Sequence, residues 1–569
     1  MAIDSSSHTN YPLPFLEPDI TRWPIYRLSE DRDAFTEHVK REVLRKVLAD
    51  WPDKKTRKEE LSKILYGERI RLIEKPWKAD PPDESAFWSR MKSKVIKLDQ
   101  IGIDDAERPD EEEIIEEIIE RYVQEIVGTF DPKIFRFARF ILPQFFSRVL
   151  NAAPGNWFKT LSRNWKTIHE KIPIRGDVAK IRALAEKGTV IVTPTHFSNM
   201  DSIMVGWVLS ELGLPAFTYG AGLNLFSIKL LSFFMSSLGA YKVDRRKKNS
   251  LYLDTLKTYS CGAIERGAHM IFFPGGTRSR SGSLERKLKL GLLGTAVEAQ
   301  KNHFKKQSGD ESVPKIFIVP CVINYHFVLE AEGLINDWLK EVGKEKFLRE
   351  NDSFSTSFKM LKFMLKFLSA SSSLAISFGD PMDVLGNSVD AEGHSYNHLG
   401  QRMDLKRYFM TNGELTDDQQ REGEYTRILG DRIVDNFFRH NVVLSSHLVC
   451  FTCFELLRKR FQHVDIFTLL RAPAEDIRLE KGEVLQALER VLSRLRELVS
   501  KGSVQLSPDL DRETEWIMQD GIRNIDLYHA QSPLFVDGDI IGTEDVKLLY
   551  YYRNRLEGYQ LEKYVYNEG

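Results

Sequence analysis

Residues 188–202 read Gly-Thr-Val-Ile-Val-Thr-Pro-Thr-His-Phe-Ser-Asn-Met-Asp-Ser, a short apolar run that leads directly into a polar loop. Three similar apolar runs follow, at 269–273, 315–322 and 374–378, and helical stretches separate them. β-rich runs that alternate with helices are typical of an α/β layer whose sheet is buried inside. The sequence therefore predicts an α/β fold for this part of the chain.

The regions on either side of this layer are predicted to be mainly helical. Pro109 and the acidic residues after it make a suitable first helical turn, and apolar residues then recur at helical spacing as far as Tyr122. Helical periodicity returns at 425–460 and 481–501. The segment 383–418 is rich in Gly, Asn, Asp and Ser, which favours a loop or linker, and no internal repeat of fixed period is expected.

Length and composition are those of an ordinary globular protein. The 569 residues suffice for three or four structural units, and 42% hydrophobic with 29% charged residues exclude wholesale disorder. We expect a helical N-terminal region at 1–150, the α/β domain at 151–390 and a mainly helical C-terminal region at 391–569. Lys and Arg number 81 against 82 for Asp and Glu, and a net charge of −1 gives no global positive field for nucleic acid.

The cysteines predict neither disulfides nor a metal centre. Four cysteines in so long a chain cannot form a disulfide framework, which indicates a reducing compartment. Cys450 and Cys453 have the spacing of half a metal knuckle, but no second pair accompanies them and the surrounding run is apolar. We expect these two thiols to pack in a core, and we expect no metal site.

Neither a secretory signal nor a membrane-spanning helix is expected. The first residues lack a basic segment followed by an apolar one, and charges interrupt every apolar run that approaches the roughly 20 residues of a membrane span. Two of these runs, 135–150 and 358–368, mix apolar and basic residues in a helical pattern. Such helices either lie in the headgroup region of a membrane or pack on the core. A peripheral protein on the cytoplasmic face of a membrane is the expectation.

The loop after the first apolar run carries His196 and Asp201. Ligand sites collect where the strands of α/β sheets end. A carboxylate bonded to one imidazole nitrogen fixes the tautomer and stabilises the imidazolium, so this pair suits a general base. The same spacing also suits a purely structural hydrogen bond, and the two residues alone leave both readings open.

Two further segments combine cations with turn-forming residues. The run 239–248 places five cations after apolar residues, and 271–282 leads from an apolar run into Pro-Gly-Gly-Thr-Arg-Ser-Arg-Ser-Gly. Glycines let backbone amides approach an anion, and arginine forks suit phosphate. The segments therefore predict a phosphate site, although the basic run alone also fits a solvated turn. No Walker or dinucleotide pattern accompanies them, which disfavours nucleotide hydrolysis.

Taken in order, four segments resemble the four sequence blocks of the glycerolipid acyltransferases. The segments are His196 to Asp201, 239–245, 273–282 and 318–323. The resemblance extends over about 185–380 and is greatest to the glycerol-3-phosphate acyltransferase branch, because Thr-Arg-Ser-Arg-Ser-Gly is followed by Lys-Leu-Gly at 289–291. The tail 549–554 is also similar to the end of the bacterial members.

The resemblance implies a central mixed sheet flanked by helices and transfer of a fatty acyl group to the sn-1 hydroxyl of glycerol 3-phosphate. The acyl donor would be acyl-CoA or acyl-carrier protein, used as a co-substrate without any cofactor. His196 would be the general base and Asp201 its partner, with no covalent intermediate. The resemblance also implies that the acceptor phosphate is bound by Arg245, Arg278, Arg280 and Lys289. It further implies that Pro320 helps to form the acyl pocket.

One position departs from the family pattern, because many members carry Glu where this chain has Gly275. If that carboxylate positions the acceptor hydroxyls, this chain uses another group or another acceptor. Lysophosphatidate and dihydroxyacetone phosphate therefore stay open as acceptors, as does a non-catalytic lipid-binding module. The backbone amides of Gly275, Gly276 and Thr277, or those at the start of the helix after His196, are candidates for stabilising an oxyanion.

Overall fold

A seven-stranded sheet forms the centre of the computed structural model, which describes residues 11–74, 76–77, 80–98, 110–151, 172–223, 229–307, 313–342, 374–473, 477–526, 529 and 531–566. In sheet order the strands are β1 (Ile174–Arg175), β7 (Leu374–Phe378), β6 (Lys315–Tyr325), β2 (Gly188–Pro194), β5 (Met270–Ile271), β3 (Thr218–Gly222) and β4 (Ala240–Val243). β6 and β7 pair antiparallel, and the other neighbouring pairs are parallel. The prediction of an α/β fold with a central mixed sheet is confirmed.

The two longest parallel neighbours, β2 and β6, carry the middle of the sheet. They pair in register from Gly188 with Lys315 to Pro194 with Cys321, and nearly all of their residues are buried. Continuous runs of Val and Ile are the pattern of strands covered on both faces. Strands β3 and β4 were not predicted from the sequence. β3 is rich in glycine, and its Gly220 packs against the ring of Tyr241 in β4.

Helices cover the sheet and fill both flanking regions. Their bounds in the first part of the chain are Pro24–Glu30, Arg32–Asp50, Lys54–Glu74, Glu84–Lys97, Glu111–Ile126, Pro132–Asn151, Val178–Lys187, Asp201–Glu211, Lys229–Ser237, Ser250–Glu265, Leu290–Lys306 and Ala331–Glu341. In the second part they are Gln419–Arg439, Ser445–Arg460, Ile466–Leu469, Lys481–Ser500, Thr514–Asp526, Val546–Arg553 and Glu562–Tyr566. None of the helices in the described ranges combines the length and apolarity that crossing a bilayer requires.

The helix Glu111–Ile126 shows how the N-terminal region joins the α/β layer. Its isoleucines and Tyr122 are buried on one face, as the spacing predicts, and that face packs against Arg32–Asp50 and Ser250–Glu265. One hydrophobic core then runs without a break from Phe35 to Val565. The predicted regions 1–150, 151–390 and 391–569 thus share a core, and their boundaries stay a prediction.

The segment predicted as a loop or linker is instead a small antiparallel meander with a seven-residue repeat. Its strands Ser388–Val389, Ser395–Tyr396 and Arg402–Met403 are joined by two turns that begin at Asp390 and Asn397. Each of these two side chains accepts a backbone N–H from later in its own turn, and a glycine with positive φ follows three residues later. The repeat escaped prediction because it consists of turn residues rather than apolar ones.

The thiols are packed as the sequence predicts. Cys450 and Cys453 are fully buried in the helix Ser445–Arg460, inside the common core. All four cysteines are free and buried.

Candidate functional site

The loops that follow β2, β4 and β5 meet at one edge of the sheet. These strands are parallel, so their carboxyl ends point the same way. The backbone N–H of Ser279, in the loop after β5, donates to the carbonyl oxygen of His196 at 2.7 Å. The first and third of the four predicted blocks are therefore in direct contact.

His196, in the loop after β2, forms a hydrogen-bonded pair with Asp201, the first residue of the helix Asp201–Glu211. Nδ1 of His196 lies 2.9 Å from Oδ2 of Asp201, and the imidazole packs 4.5 Å from the ring of Phe273 between centroids. Among the described residues no polar atom bonds Nε2. A carboxylate on one ring nitrogen leaves the other as the nitrogen that faces a substrate.

Asp201 is fully buried and surrounded by donors. The backbone N–H groups of Phe197 and Ser198 donate to Oδ2 at 2.6 and 2.9 Å. The hydroxyl of Tyr325, at the end of β6, donates to Oδ1 at 2.7 Å. Burial and the Asp201 charge raise the pKa of Tyr325 well above its ordinary value, so this phenol stays a donor. The carboxylate is thus fixed from three sides while it orients the imidazole.

Arg245 and Arg278 lie close together at this edge. Partial removal of the guanidinium from water, and then the positive charge of Arg278, lower the pKa of Arg245. Within the described part of the chain Arg245 makes no ion pair, whereas Nη1 of Arg278 lies 3.3 Å from Oε1 of Glu330. Two neighbouring guanidiniums, of which Arg278 alone has a carboxylate partner among the described residues, leave positive charge for an anion.

Two other cations of the basic run have structural partners. Arg246 pairs with Asp80 and Asp244, and Lys247 pairs with Glu125. These contacts turn both side chains toward the N-terminal helices, which separates them from the exposed Arg245.

The structure does not bring Arg280 together with Arg278. Arg280 pairs with Glu341 at 2.8 Å, at the opposite end of the helix Ala331–Glu341 from Glu330. At 1.5 Å per residue the two partners are about 16 Å apart, too far for one phosphate to bridge both arginines as they lie. Lys289 is exposed, and its aliphatic stem covers Gly276. The phosphate roles of Arg280 and Lys289 stay predictions.

The glycine turn of the third block is covered on its outer side. The N–H of Gly276 donates to the carbonyl oxygen of Phe273 at 3.0 Å, so this amide, one of the oxyanion candidates, is already used by the turn. The amides of Gly275 and Thr277 stay candidates. Side chains from the segment 285–289 lie against both glycines. Close packing therefore accounts for the two missing side chains.

Pro320 lies within β6, buried in the middle of the sheet and paired with Thr193 of β2. Its neighbour on the other side is Gly379, whose N–H donates to the Pro320 carbonyl oxygen at 2.7 Å. The strand position is the one expected for the fourth block, and the acyl-pocket role stays a prediction.

Several side chains at this edge were missed by sequence reasoning. They are Tyr325, Glu330, Glu285 and Arg555. Arg555 comes from the C-terminal tail, is buried, and places its guanidinium carbon 3.4 Å from the centroid of the Phe197 ring. Burial lowers the pKa of Arg555 to about 10. Of these four residues, only Arg555 lay near a sequence signal. It directly follows 549–554, the part of the tail that is similar to bacterial family members.

Comparison with known proteins agrees with this arrangement. Residues 175–324, which hold all four predicted blocks, match the family model described as Acyltransferase. This segment is therefore similar to the acyltransferase family. It runs from the last residue of β1 to the residue before the end of β6 and includes the loops that carry His196, Arg245 and Arg278.

The chain is also similar to curated bacterial proteins named glycerol-3-phosphate acyltransferase. The chain is 27% identical to that of Pseudoalteromonas atlantica over 236 residues, 41% of this chain and 26% of the relative. It is 30% identical to that of Histophilus somni over 187 residues, 32% of this chain and 21% of the relative. The matched part spans about a quarter of the length of these relatives.

Proposed function

We propose that the protein transfers a fatty acyl group from a thioester, acyl-CoA or acyl-carrier protein, to the sn-1 hydroxyl of glycerol 3-phosphate. The observation that carries the proposal is the hydrogen-bonded pair of His196 and Asp201 at the same sheet edge as Arg245 and Arg278. The names of the bacterial relatives support the choice of acceptor.

The proposed chemistry uses the imidazole twice. Nε2 of His196 takes the proton of the acceptor hydroxyl while the hydroxyl oxygen attacks the thioester carbonyl carbon. Collapse of the tetrahedral intermediate breaks the carbon–sulfur bond, and the imidazolium returns its proton to the departing thiolate. The products are an ester and a free thiol. General-base help of this kind contributes about 10²- to 10⁴-fold, and orientation by the arginines supplies part of the rest.

Acyl transfer is tested by incubating the purified protein with labelled acyl-CoA or acyl-carrier protein and each acceptor separately. We expect 1-acyl-glycerol 3-phosphate from glycerol 3-phosphate. His196→Ala should lose about 10²- to 10⁴-fold in kcat. Ester formed only from lysophosphatidate or dihydroxyacetone phosphate would change the acceptor, and a variant within about tenfold of wild type would remove His196 as the base.

We further propose that the helix Pro132–Asn151 contacts the surface of a phospholipid bilayer, where the product belongs. The helix predicted at 135–150 is present, and its described side chains expose Phe137, Phe140 and Ile141. Phe233, on the helix Lys229–Ser237, is exposed nearby, since Phe137 stacks on Phe234 at 6.1 Å. The second predicted segment, 358–368, lies outside the described residues.

Exposed aromatic side chains next to cations suit the headgroup region. Lys133 and Arg136 are exposed on the same helix as the aromatic patch. Flotation with vesicles of anionic phospholipid should therefore carry the protein at low salt, and Phe137→Ser with Phe140→Ser should reduce the bound fraction severalfold. Tyr66→Ser, at an equally exposed aromatic residue on the helix Lys54–Glu74, is the matched control and should bind as wild type. Equal binding of all variants would contradict the proposal.

A further inference from the structure

The carboxylate of Glu285 lies directly behind the His196 loop. Its Oε1 accepts the backbone N–H of His196 at 3.0 Å. Its Oε2 is buried and has no hydrogen-bond partner among the described residues. Burying a carboxylate oxygen without a hydrogen-bond donor costs folding free energy. A carboxylate in this state therefore suggests a functional role.

Glu285 occupies the space beside Gly275. A Cβ atom on Gly275 would lie 3.0 Å from both Cγ and Oε1 of Glu285 and 3.4 Å from its Cδ. A longer side chain at position 275 and the present side chain of Glu285 therefore exclude each other. The carboxylate thus stands where a side chain of residue 275 would begin, although it comes from ten residues later in the chain.

Two charged groups from different elements act on Glu285. The negative charge of Asp201, the first residue of the helix Asp201–Glu211, opposes its ionisation, and the positive charge of Arg555, on the C-terminal tail, favours it. The His196 backbone N–H also favours the ionised form. Burial outweighs these favourable contributions and raises the pKa of Glu285 to about 7.

We propose that Glu285 is the positioning carboxylate of this site: it fills the place left open by Gly275, anchors the backbone of His196 and so aims the imidazole at the acceptor hydroxyl. The inference rests on the proposed acyl transfer and adds a residue to it. Glu285 acts through His196 and the arginines hold the phosphate, so its loss should affect turnover rather than binding of the phosphate acceptor.

The test combines kinetics with an exchange of positions. Glu285→Ala should lower kcat by about tenfold or more and leave the KM for the phosphate acceptor within about threefold. Gly275→Glu alone should also lower kcat, because the two side chains clash. The double variant Glu285→Gly with Gly275→Glu should regain about tenfold over Glu285→Gly alone, since it restores one carboxylate to the same space. Glu424→Ala, at an exposed surface carboxylate, is the control and should equal wild type.

A readout independent of activity separates this inference from the proposed function. Hydrogen exchange of the peptide that contains 193–201 should be faster in Glu285→Ala, since the His196 N–H loses its acceptor. If no acceptor is acylated, acyl transfer fails as the function while the exchange experiment still tests the anchor. Unchanged exchange, a kcat within about twofold of wild type in Glu285→Ala, or no gain in the double variant would each overturn the role of Glu285.

Discussion

At the scale of single residues, His196 lies between two carboxylates in opposite environments. Asp201 has donors on both oxygens, whereas Glu285 has a donor on one oxygen and, among the described residues, none on the other. Pairs of titratable groups held so differently are a common arrangement for acid–base chemistry. Here one carboxylate orients the ring and the other holds the backbone.

The ionisation of Glu285 should make the protein less stable as the pH rises. Its pKa is raised to about 7, so the folded state favours the protonated form, and that stability is lost as the pH rises from the ordinary value of about 4.5 through 7. Glu285→Gln should therefore gain thermal stability relative to wild type between pH 5 and pH 8, in roughly the range of a few °C. Thermal unfolding at several pH values checks this, with Glu424→Gln as the control.

A gain in stability together with a loss of turnover would mark Glu285 as a functional group, because a purely structural residue loses stability when it is replaced. A stability difference that does not change between pH 5 and 8 would contradict the expected titration.

Replacement of the two arginines at the site should change the acceptor KM, whereas replacement of a surface arginine should not. Arg245→Lys and Arg278→Lys should each raise the acceptor KM by about tenfold with a smaller change in kcat, because lysine keeps the charge but loses the planar fork. Arg427→Lys, in an exposed ion pair with Glu424, should leave both parameters unchanged. Steady-state kinetics with varied glycerol 3-phosphate measures the effect, and an unchanged KM in both site variants would place the phosphate elsewhere.

At the scale of elements, the N-terminal helices serve the site by neutralising the basic run. Arg71, on the helix Lys54–Glu74, is buried and bonded to Glu68 and Glu84, and it also lies 3.4 Å from Asp80. The same acidic cluster receives Arg246 and Lys247 from the loop after β4. The helices therefore fix the loop from which Arg245 projects.

Breaking this buried network should be expensive. Arg71→Met removes a buried guanidinium that is bonded to two buried carboxylates, so we expect a loss of about 3–5 kcal/mol in the free energy of unfolding. Lys63→Met, which removes an exposed pair with Glu60 on the same helix, should cost no more than about 1 kcal/mol. Urea denaturation followed by tryptophan fluorescence compares the two, and equal losses would show that the network contributes little.

Sequence reasoning located the elements better than the contacts between them. The runs 188–193, 315–322 and 374–378 are strands because their β-branched residues suit a sheet covered on both faces. The loops with His196 and Arg278 were found because glycines and polar residues follow those runs directly. Tyr325 and Glu285 could not be found in this way, since nothing local marks a residue whose partner is brought close only by the fold.

At the scale of the whole molecule, the C-terminal tail closes over the third block. The amide of Asn554 donates to the carbonyl oxygen of Ser281 at 2.9 Å, and Ser283 donates to Glu557 at 2.8 Å. Between them Gly282 has a φ of +84°, and its missing side chain leaves room for the carbonyl oxygen of Tyr551. The tail and the loop after β5 are therefore fitted to each other.

Gly282→Ala should displace the tail. The new methyl group meets the Tyr551 carbonyl, so we expect a cost of about 1–3 kcal/mol beyond the backbone strain, with a loss of acyl transfer. Gly413→Ala carries the same strain at a φ of +88° but has no atom within 4 Å of the new Cβ, which makes it the matched control. Thermal unfolding and limited proteolysis measure the difference. Equal stability and equal resistance of the tail in both variants would contradict the fit.

The contact of Arg555 with Phe197 also sets an order of events during biosynthesis. When all strands of the sheet have left the ribosome, the nascent chain still lacks Arg555, which contacts Phe197 in the His196 loop. It also lacks Asn554, which bonds the carbonyl oxygen of Ser281. Translation has to pass codon 555, and that segment has to leave the ribosome, before the loop is supported.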